Sequence, residues 1–113
     1  MDKTLNLLGL AKKAGFLAIG SESASILARQ GKAHLIITAT DASDGTIRRA
    51  KANAESSGSR YLAVPYTKFE LGNIIGRGTP GVIAFSDKGL ADVFFEKVTE
   101  QKDINTRKES NAI

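Results

Sequence analysis

The 113 residues of this chain fit one globular domain that can bury a substantial core, so no second domain is expected. The formal net charge of +4 and a sequence pI near 9.5 favour an acidic partner such as nucleic acid, although solubility alone would explain the same excess. The absence of cysteine excludes disulfides and thiolate chemistry, and a single histidine argues against a catalytic metal centre, so neither a metal nor a cofactor is expected. The first residues do not resemble a secretion signal, and no apolar run approaches the roughly 18 residues of a membrane helix, so we expect a cytoplasmic protein.

Apolar spacing in the first half of the chain predicts helices that alternate with short strands. Leu8 and its apolar neighbours form one face of a first helix, which Gly15 ends. The second strand is almost continuously apolar, as expected of a strand that is covered on both faces. In chain order the predicted elements are a helix to residue 13, a strand at 16–19, a helix at 21–30, a strand at 34–39 and a helix from about 44 to 57.

The second half continues the same alternation. Thr67 and Glu70 stand at capping-box spacing, which predicts the start of a short helix. Beyond residue 100 the chain is charged and polar without an apolar period, so we expect a single domain at 1–100 and a disordered tail at 101–113. The remaining predicted elements are a strand at 61–64, the short helix to residue 75, a loop at 76–81, a strand at 82–85 and a helix from Ser86 or Asp87 to about Val98. Together these elements predict an α/β fold, a three-layer α/β/α sandwich with a small, roughly four-stranded sheet.

The segment after the first strand has the composition of an anion-facing helix start. Gly20 allows close approach of the backbone, and Ser21 is predicted to be the N-cap, with its hydroxyl on a first-turn amide. The remaining free amides would favour phosphate or another acceptor. Serine-capped helices are common, however, so this motif alone favours a purely structural role.

Enzymatic chemistry finds little support in the residue pattern. His34 is the only histidine and stands at the start of a buried strand, where a packing role is favoured over that of a general base. Asp41 and Asp87 follow strands, but both also suit helix capping. The spacing G-x-G-x-x-G at 76–81 precedes a strand instead of joining a strand to a helix, so a dinucleotide site is not expected. We therefore predict a protein that is not an enzyme.

Basic residues occupy helix ends, helix surfaces and loops instead of one continuous run. The loop that contains Arg77 and the helix start at Gly20 could flank the same end of the sheet. Backbone amides, hydroxyls and a guanidinium would then meet in a site suited to RNA backbone and unpaired bases. The basic residues placed to reach phosphate are Lys12, Lys13, Arg29, Lys32, Arg48, Arg49, Lys51 and Arg77.

Three stretches together resemble a known family. These are Gly20 with its following serine and then RQGKAHLIITATDAS, the stretch YLAVPYTKFELGNIIGR, and VIAFSDKGLA. They are similar to the kink-turn-binding ribosomal protein superfamily that includes archaeal large-subunit ribosomal proteins. The opening LLGLAKKAG and the segment SDKGLA resemble its small bacterial branch, the YlxQ-like proteins. The resemblance covers residues 5 to about 98 and implies an α/β/α sandwich that binds RNA without catalysis.

In that family a motif of Gly, Thr or Ser, Asn or Lys, Glu or Gln, two variable residues and Lys contacts sheared G·A pairs of a kinked RNA. Gly20 and Ser21 match this motif. Glu22, Ser23 and Ile26 depart from it, and Ile26 removes a cation that could donate a hydrogen bond to guanine. Glu22 can still accept hydrogen bonds from guanine, so RNA binding is retained in the prediction while the kink-turn specificity stays open.

The second family contact is the loop before the last strand, which is more polar here. Arg77 can stack on a base or pair with phosphate. We expect Gly20 and Ser21 to present backbone amides, while Glu22 and Ser25 contact base edges or sugars. The predicted RNA-binding residues are Gly20, Ser21, Glu22, Ser25, Arg29, Lys32, Arg77, Gly78 and Thr79.

The resulting hypothesis is a ribosomal or ribosome-associated protein that binds structured RNA, for which a kink-turn is one candidate. The alternative is a protein-interaction module that has the same fold but has lost kink-turn recognition, as Ile26 in place of lysine would allow. A third hypothesis is a recognition domain similar to those attached to some RNA methyltransferases, which would require a separate enzyme.

Overall fold

The computed structural model of the chain describes residues 3–76 and 78–111, with side chains described up to residue 100. The helices are α1 (Lys3–Lys13), α2 (Ser21–Arg29), α3 (Asp44–Ser57), α4 (Lys68–Ile75) and α5 (Lys88–Asn111). The strands are β1 (Leu17–Ile19), β2 (Leu35–Thr38), β3 (Arg60–Ala63) and β4 (Val82–Phe85). The predicted order of elements and the α/β fold class are confirmed.

The four strands form one mixed sheet in the order β1-β4-β2-β3. Strand β4 is antiparallel to both β1 and β2, whereas β2 and β3 run parallel. This topology brings the chain after β1, the chain after β2 and the chain before β4 to one end of the sheet. We call it the Gly20 end, and the opposite end, where the His34 amide donates to the Phe85 carbonyl at 2.8 Å, the His34 end.

Each face of the sheet is covered by its own layer of helices. Helices α1, α4 and α5 cover one face, where Leu35, Ile37 and Phe85 pack against Leu8 and Phe94. Helices α2 and α3 cover the other, where the buried side chains are mostly alanines: Ala24, Ala28, Ala50, Ala54 and Ala84. All four residues of β2 are buried, as its apolar run predicts. Small side chains on the second face allow α2 and α3 to lie close to the sheet.

Local signals in the sequence fix several helix ends. The predicted capping box is present, because the Glu70 amide donates to Thr67 Oγ1 at 3.1 Å and the Thr67 amide donates to Glu70 Oε1 at 3.0 Å. Ser43 caps α3 by accepting from the Thr46 amide at 3.2 Å. Gly58 ends α3 in the left-handed conformation at φ 73°.

In α5 helical backbone continues through residues 101–111, the segment for which the sequence predicts a disordered tail. The sequence contains neither glycine nor proline after Gly89, and Glu, Lys, Gln and Arg are good helix formers. A helix that begins on the packed part of α5 can therefore continue into a polar segment without a breaker. The domain boundary at residue 100 stays a prediction. Within the described residues, no helix combines the length and apolarity needed to cross a membrane.

A cluster of ionic groups connects β3 to α5. The Asp92 carboxylate accepts from Lys88 Nζ at 2.8 Å and pairs with the guanidinium of Arg60, which also lies 4.1 Å from the centroid of the Phe95 ring. The hydrogen bond from Lys88, together with the attraction of both cations, holds the pKa of Asp92 below its ordinary value.

We expect this cluster to make the free energy of unfolding depend on pH. Because the folded-state pKa of Asp92 is lowered, its contribution is complete above the unfolded value of about 4 and is lost as pH falls through the folded-state pKa. Urea unfolding of the wild type and Asp92→Asn between pH 7 and pH 2.5 measures this contribution. The stability difference should shrink in acid, and a difference that stays constant over that range would contradict the assignment.

Candidate functional site

Two loops meet at the Gly20 end of the sheet and form a groove of about 340 Å³. Its walls are Ile19 and Gly20 on one side and Gly78, Thr79 and Pro80 on the other. The Gly20 amide donates to the Val82 carbonyl at 2.9 Å, which ties the start of α2 to the start of β4. The two loops therefore share one end of the sheet, as the sequence predicts. Arg77 lies outside the described residues, so its predicted part in this site stays a prediction.

The start of α2 corrects one prediction. The N-cap is Gly20, at φ 96° and ψ 163°, and Ser21 is the first helical residue instead of the cap. That backbone region is essentially restricted to glycine, which moves the helix start one residue earlier than the preference for serine indicates. Gly20 supplies no side-chain acceptor, and among the described residues no side-chain oxygen caps the first-turn amides of α2. They remain available to an acceptor from another molecule.

The opposite wall of the groove is held in place by close packing on α4. A Cβ atom at Gly72 would lie 1.9 Å from the Gly78 carbonyl oxygen and 3.0 Å from its carbon. Only glycine at position 72 permits this approach of the loop backbone. Gly78 itself has φ 64°, a left-handed conformation. The close contact with Gly72 and the left-handed conformation of Gly78 thus determine the position of this loop opposite Gly20.

Of the other predicted site residues, some lie near the groove and others lie at the far end of α2. Glu22 is exposed in the first turn of α2, beside the groove. The Ser25 hydroxyl accepts from Asn53 Nδ2 at 2.8 Å, so this side chain is half-buried between α2 and α3. Arg29 and Lys32 are exposed at the far end of α2, and Arg29 is about 12 Å along the helix axis from Ser21. These two cations therefore lie away from the groove.

Two basic residues outside the predicted site lie near its wall. Arg49 of α3 lines a crevice between α2 and α3 together with Ser21 and Ser25, and its side chain is exposed. Cδ of Lys68 lies 3.7 Å from the position of a Cβ atom built on Gly81, at the same end of the sheet. The sequence predicts that Arg49 is an exposed basic residue. No local pattern in the sequence, however, predicts that α3 packs against the first turn of α2.

The two aspartates that follow strands cap helices. Asp41 Oδ1 accepts from the Lys68 amide at 2.8 Å, at the start of α4. Asp87 Oδ2 accepts from the Leu90 amide at 2.9 Å, at the start of α5. Both hydrogen bonds support helix capping as the role of these aspartates. Among residues 3–76 and 78–100, whose side chains the structure describes, His and acidic side chains form no group that could hold a metal ion.

Comparisons with known proteins agree with this architecture. Residues 2–94 match the model of the ribosomal protein L7Ae/L30e/S12e/Gadd45 family. The chain is 33% identical over 94 residues to RNA-binding protein YlxQ of Enterococcus faecium, covering 80% of this chain and 85% of that protein. It is 32% identical over 90 residues to RNA-binding protein YlxQ of Bacillus subtilis (strain 168), covering 76% and 85%.

Solved structures share the fold. A protein with unknown function from Bacillus halodurans C has a TM-score of 0.81 at 27% identity, covering 88% of this chain and 99% of that one. The Giardia lamblia 15.5kD RNA binding protein has a TM-score of 0.68 at 22% identity, covering 88% of each chain, and supports the fold alone. Because the family model spans most of the sequence, this chain belongs to the ribosomal protein L7Ae/L30e/S12e/Gadd45 family.

Proposed function

We propose that this protein binds structured RNA without catalysis, through the groove between Gly20 and the 78–80 loop. The observation that carries the proposal is the meeting of those two segments in one groove, in a chain of this family. The YlxQ relatives, each named an RNA-binding protein, support the same function. A cytoplasmic location and a ribosomal or ribosome-associated role form part of the proposal.

The chemistry of the groove suits an unpaired nucleotide. First-turn amides of α2 can bind phosphate or base oxygens, and the Ser21 and Thr79 hydroxyls can donate or accept. Arg49 and Lys68 add positive charge near the two walls. RNA recognition commonly uses bases that have left the helical stack, and such a base is what a groove between two loops can accommodate.

A kink-turn is the first RNA to test, because its kink presents sheared G·A pairs and unstacked nucleotides. Glu22 is exposed beside the groove and can accept hydrogen bonds from guanine amino and imino groups. Ile26 is 40% exposed on the same helix and supplies no charge to that surface. The recognition we propose therefore depends on a carboxylate and on cations from α3 and α4 instead of a lysine of α2.

An electrophoretic mobility shift at low salt tests the proposal. The probes are a structured ribosomal RNA fragment with a kink-turn and the same fragment with its G·A pairs replaced. We expect a saturable shift with the first RNA and weaker binding to the second. No shift with either RNA would overturn the function. Equal binding to both would retain RNA binding and reject the kink-turn.

We expect Arg49→Ala to weaken RNA binding more than Arg29→Ala, although both remove one exposed positive charge. Arg49 lies beside Ser21, whereas Arg29 lies at the far end of α2. The loss for Arg49→Ala should be about threefold to tenfold, and the slope of log affinity against log salt should fall by about one. Titrations at three or more salt concentrations measure both quantities. Equal losses for the two variants would reject this placement of the phosphate contact.

The protein-interaction hypothesis has a distinct outcome. Co-purification of a protein partner that survives nuclease treatment, with no RNA bound, would favour an interaction module in place of the RNA-binding function. A recognition domain acting for a separate methyltransferase would also retain bound RNA, so the nuclease step separates it from the interaction module.

A further inference from the structure

A second groove, of about 460 Å³, lies between α1 and α4, and we call it the α1–α4 groove. Its apolar lining comes from Leu10, Ile74 and Ile75, and Lys12 and Lys13 stand at its rim. Leu10 is 58% exposed, although the opposite face of α1 is buried in the core. The segment LLGLAKKAG, which plays no part in the proposed RNA site, supplies Leu10 and both lysines.

The packing of the two helices creates this groove. A Cβ atom on Gly9 would lie 3.6 Å from Ile74 Cγ1, so the backbone of α1 lies close to the α4 side chains at this point. Leu10, the next residue, then lies on the open side of the contact instead of within it. The Ser86 amide donates to the Phe16 carbonyl at 2.8 Å, which places the end of α1 near the His34 end of the sheet. The lysines of the groove are therefore remote from Gly20.

The charge at the rim is positive and has no ionic partner among the described residues. Lys12 and Lys13 are exposed, and within the described part of the chain neither forms a salt bridge. None of the described residues that line the groove is acidic. Carboxylates at the edge of a partner's apolar face would therefore strengthen its binding over Leu10 and Ile74.

The lining favours a peptide over a nucleic acid. Unpaired bases stack on aromatic rings or guanidinium planes, and the lining residues of this groove are aliphatic, amide or lysine side chains. A volume of about 460 Å³ lies within the range of apolar pockets that accept several side chains. A helix with leucine-type anchors at helical spacing would fill the apolar lining, and acidic residues beside those anchors would pair with the lysines at the rim.

We propose that the α1–α4 groove docks an acidic amphipathic helix of a partner protein, independently of RNA. An apolar ridge of that helix contacts Leu10 and Ile74, and its carboxylates pair with Lys12 and Lys13. The protein would then bind RNA at the Gly20 end of the sheet and a peptide in the α1–α4 groove. It would thereby connect an RNA to a second protein.

The direct test uses a fluorescein-labelled peptide of about 16 residues, long enough to form a helix, with leucines on one face and glutamates beside them. Matched peptides carry lysine in place of glutamate, or serine in place of leucine. Fluorescence anisotropy with the full chain should show saturable binding of the acidic peptide alone. Failure of the acidic peptide to bind, or equal binding of the lysine peptide, would overturn the proposal.

Protein variants locate the binding. Leu10→Ser should weaken peptide binding at least about tenfold, because it removes the exposed apolar contact. Phe69→Ser is the matched control, since Phe69 is 67% exposed on α4 but does not line the groove. The double variant Lys12→Ala/Lys13→Ala should weaken binding and reduce its salt dependence. Equal effects of Leu10→Ser and Phe69→Ser would reject the assigned surface.

RNA titrations keep this proposal separate from the RNA-binding function. Leu10→Ser should leave RNA affinity unchanged, and peptide and RNA should bind together without competition. A fall in RNA affinity that parallels the fall in peptide affinity would assign the groove to the RNA interface and overturn the peptide proposal. Thermal unfolding followed by circular dichroism should give similar Tm values for Leu10→Ser and the wild type, because Leu10 is exposed.

Discussion

Gly72→Ala is expected to destabilise the protein and to weaken RNA binding at least about tenfold, although this substitution normally stabilises a helix. The added methyl group would lie 1.9 Å from the Gly78 carbonyl oxygen, so the loop that forms one wall of the groove proposed for RNA must move. Overpacking of this kind costs about 1–3 kcal/mol, which exceeds the gain of up to about 1 kcal/mol from helix propensity. Thermal unfolding should show a Tm lowered by several degrees.

Gly9→Ala is the matched control, because Gly9 also lies inside a helix. A Cβ atom there would meet Ile74 Cγ1 at 3.6 Å, an ordinary van der Waals contact. We therefore expect Gly9→Ala to keep or raise Tm and to leave RNA affinity unchanged. If Gly72→Ala behaved in the same way, the packing of Gly78 on α4 would not determine the shape of the groove.

Gly20→Glu is expected to reduce RNA affinity about a hundredfold or more. It places a carboxylate in the groove proposed for a nucleotide, and like charges at an interface cost several kcal/mol. It also forces a non-glycine residue into φ 96° and ψ 163°, which costs about 1–3 kcal/mol of stability. RNA titration at a temperature well below the Tm of the variant separates the two effects. Gly20→Ala, which adds strain without charge, should lose less affinity.

Gly31→Glu supplies the control for charge and for positive φ. Gly31 has φ 71°, and no described atom lies within 4 Å of a Cβ built on it, as is also true of Gly20. It lies beyond the far end of α2, so the same charge change occurs away from the groove. We expect a stability loss of about 1–2 kcal/mol and a much smaller change in RNA affinity. Comparable losses of affinity for the two variants would indicate a general electrostatic effect instead of a site at Gly20.

Local sequence patterns determine most of this fold. The prediction for β4 agrees with the structure at both ends, since four consecutive apolar residues stand between Gly81 and Ser86. The capping box at Thr67 could be predicted because its two hydrogen bonds join residues three apart. Beyond residue 100 composition predicts exposure but does not decide between helix and disorder, because polar residues do not exclude a helix.

The site could be predicted only in part, because it depends on tertiary contacts. The sequence predicts that Gly20 and the loop before β4 flank the same end of the sheet, but it does not predict the antiparallel pairing of β1 with β4 that brings them together. Arg29 is near Ser21 in sequence but at the other end of a helix, whereas Arg49 is distant in sequence and beside Ser21 in space. The N-cap could not be placed from preference alone, because the backbone angles of Gly20 determine it.

Ultraviolet crosslinking of the protein to a structured RNA that it binds, followed by mass spectrometry of the crosslinked peptides, locates the RNA on the protein. RNA binding in the groove at the Gly20 end predicts crosslinks in the segments 19–25 and 78–81, which form and adjoin that groove. It also predicts that Gly20→Glu removes both sets together. Crosslinks confined to the far end of the sheet, around Lys32 and Lys88, would contradict it.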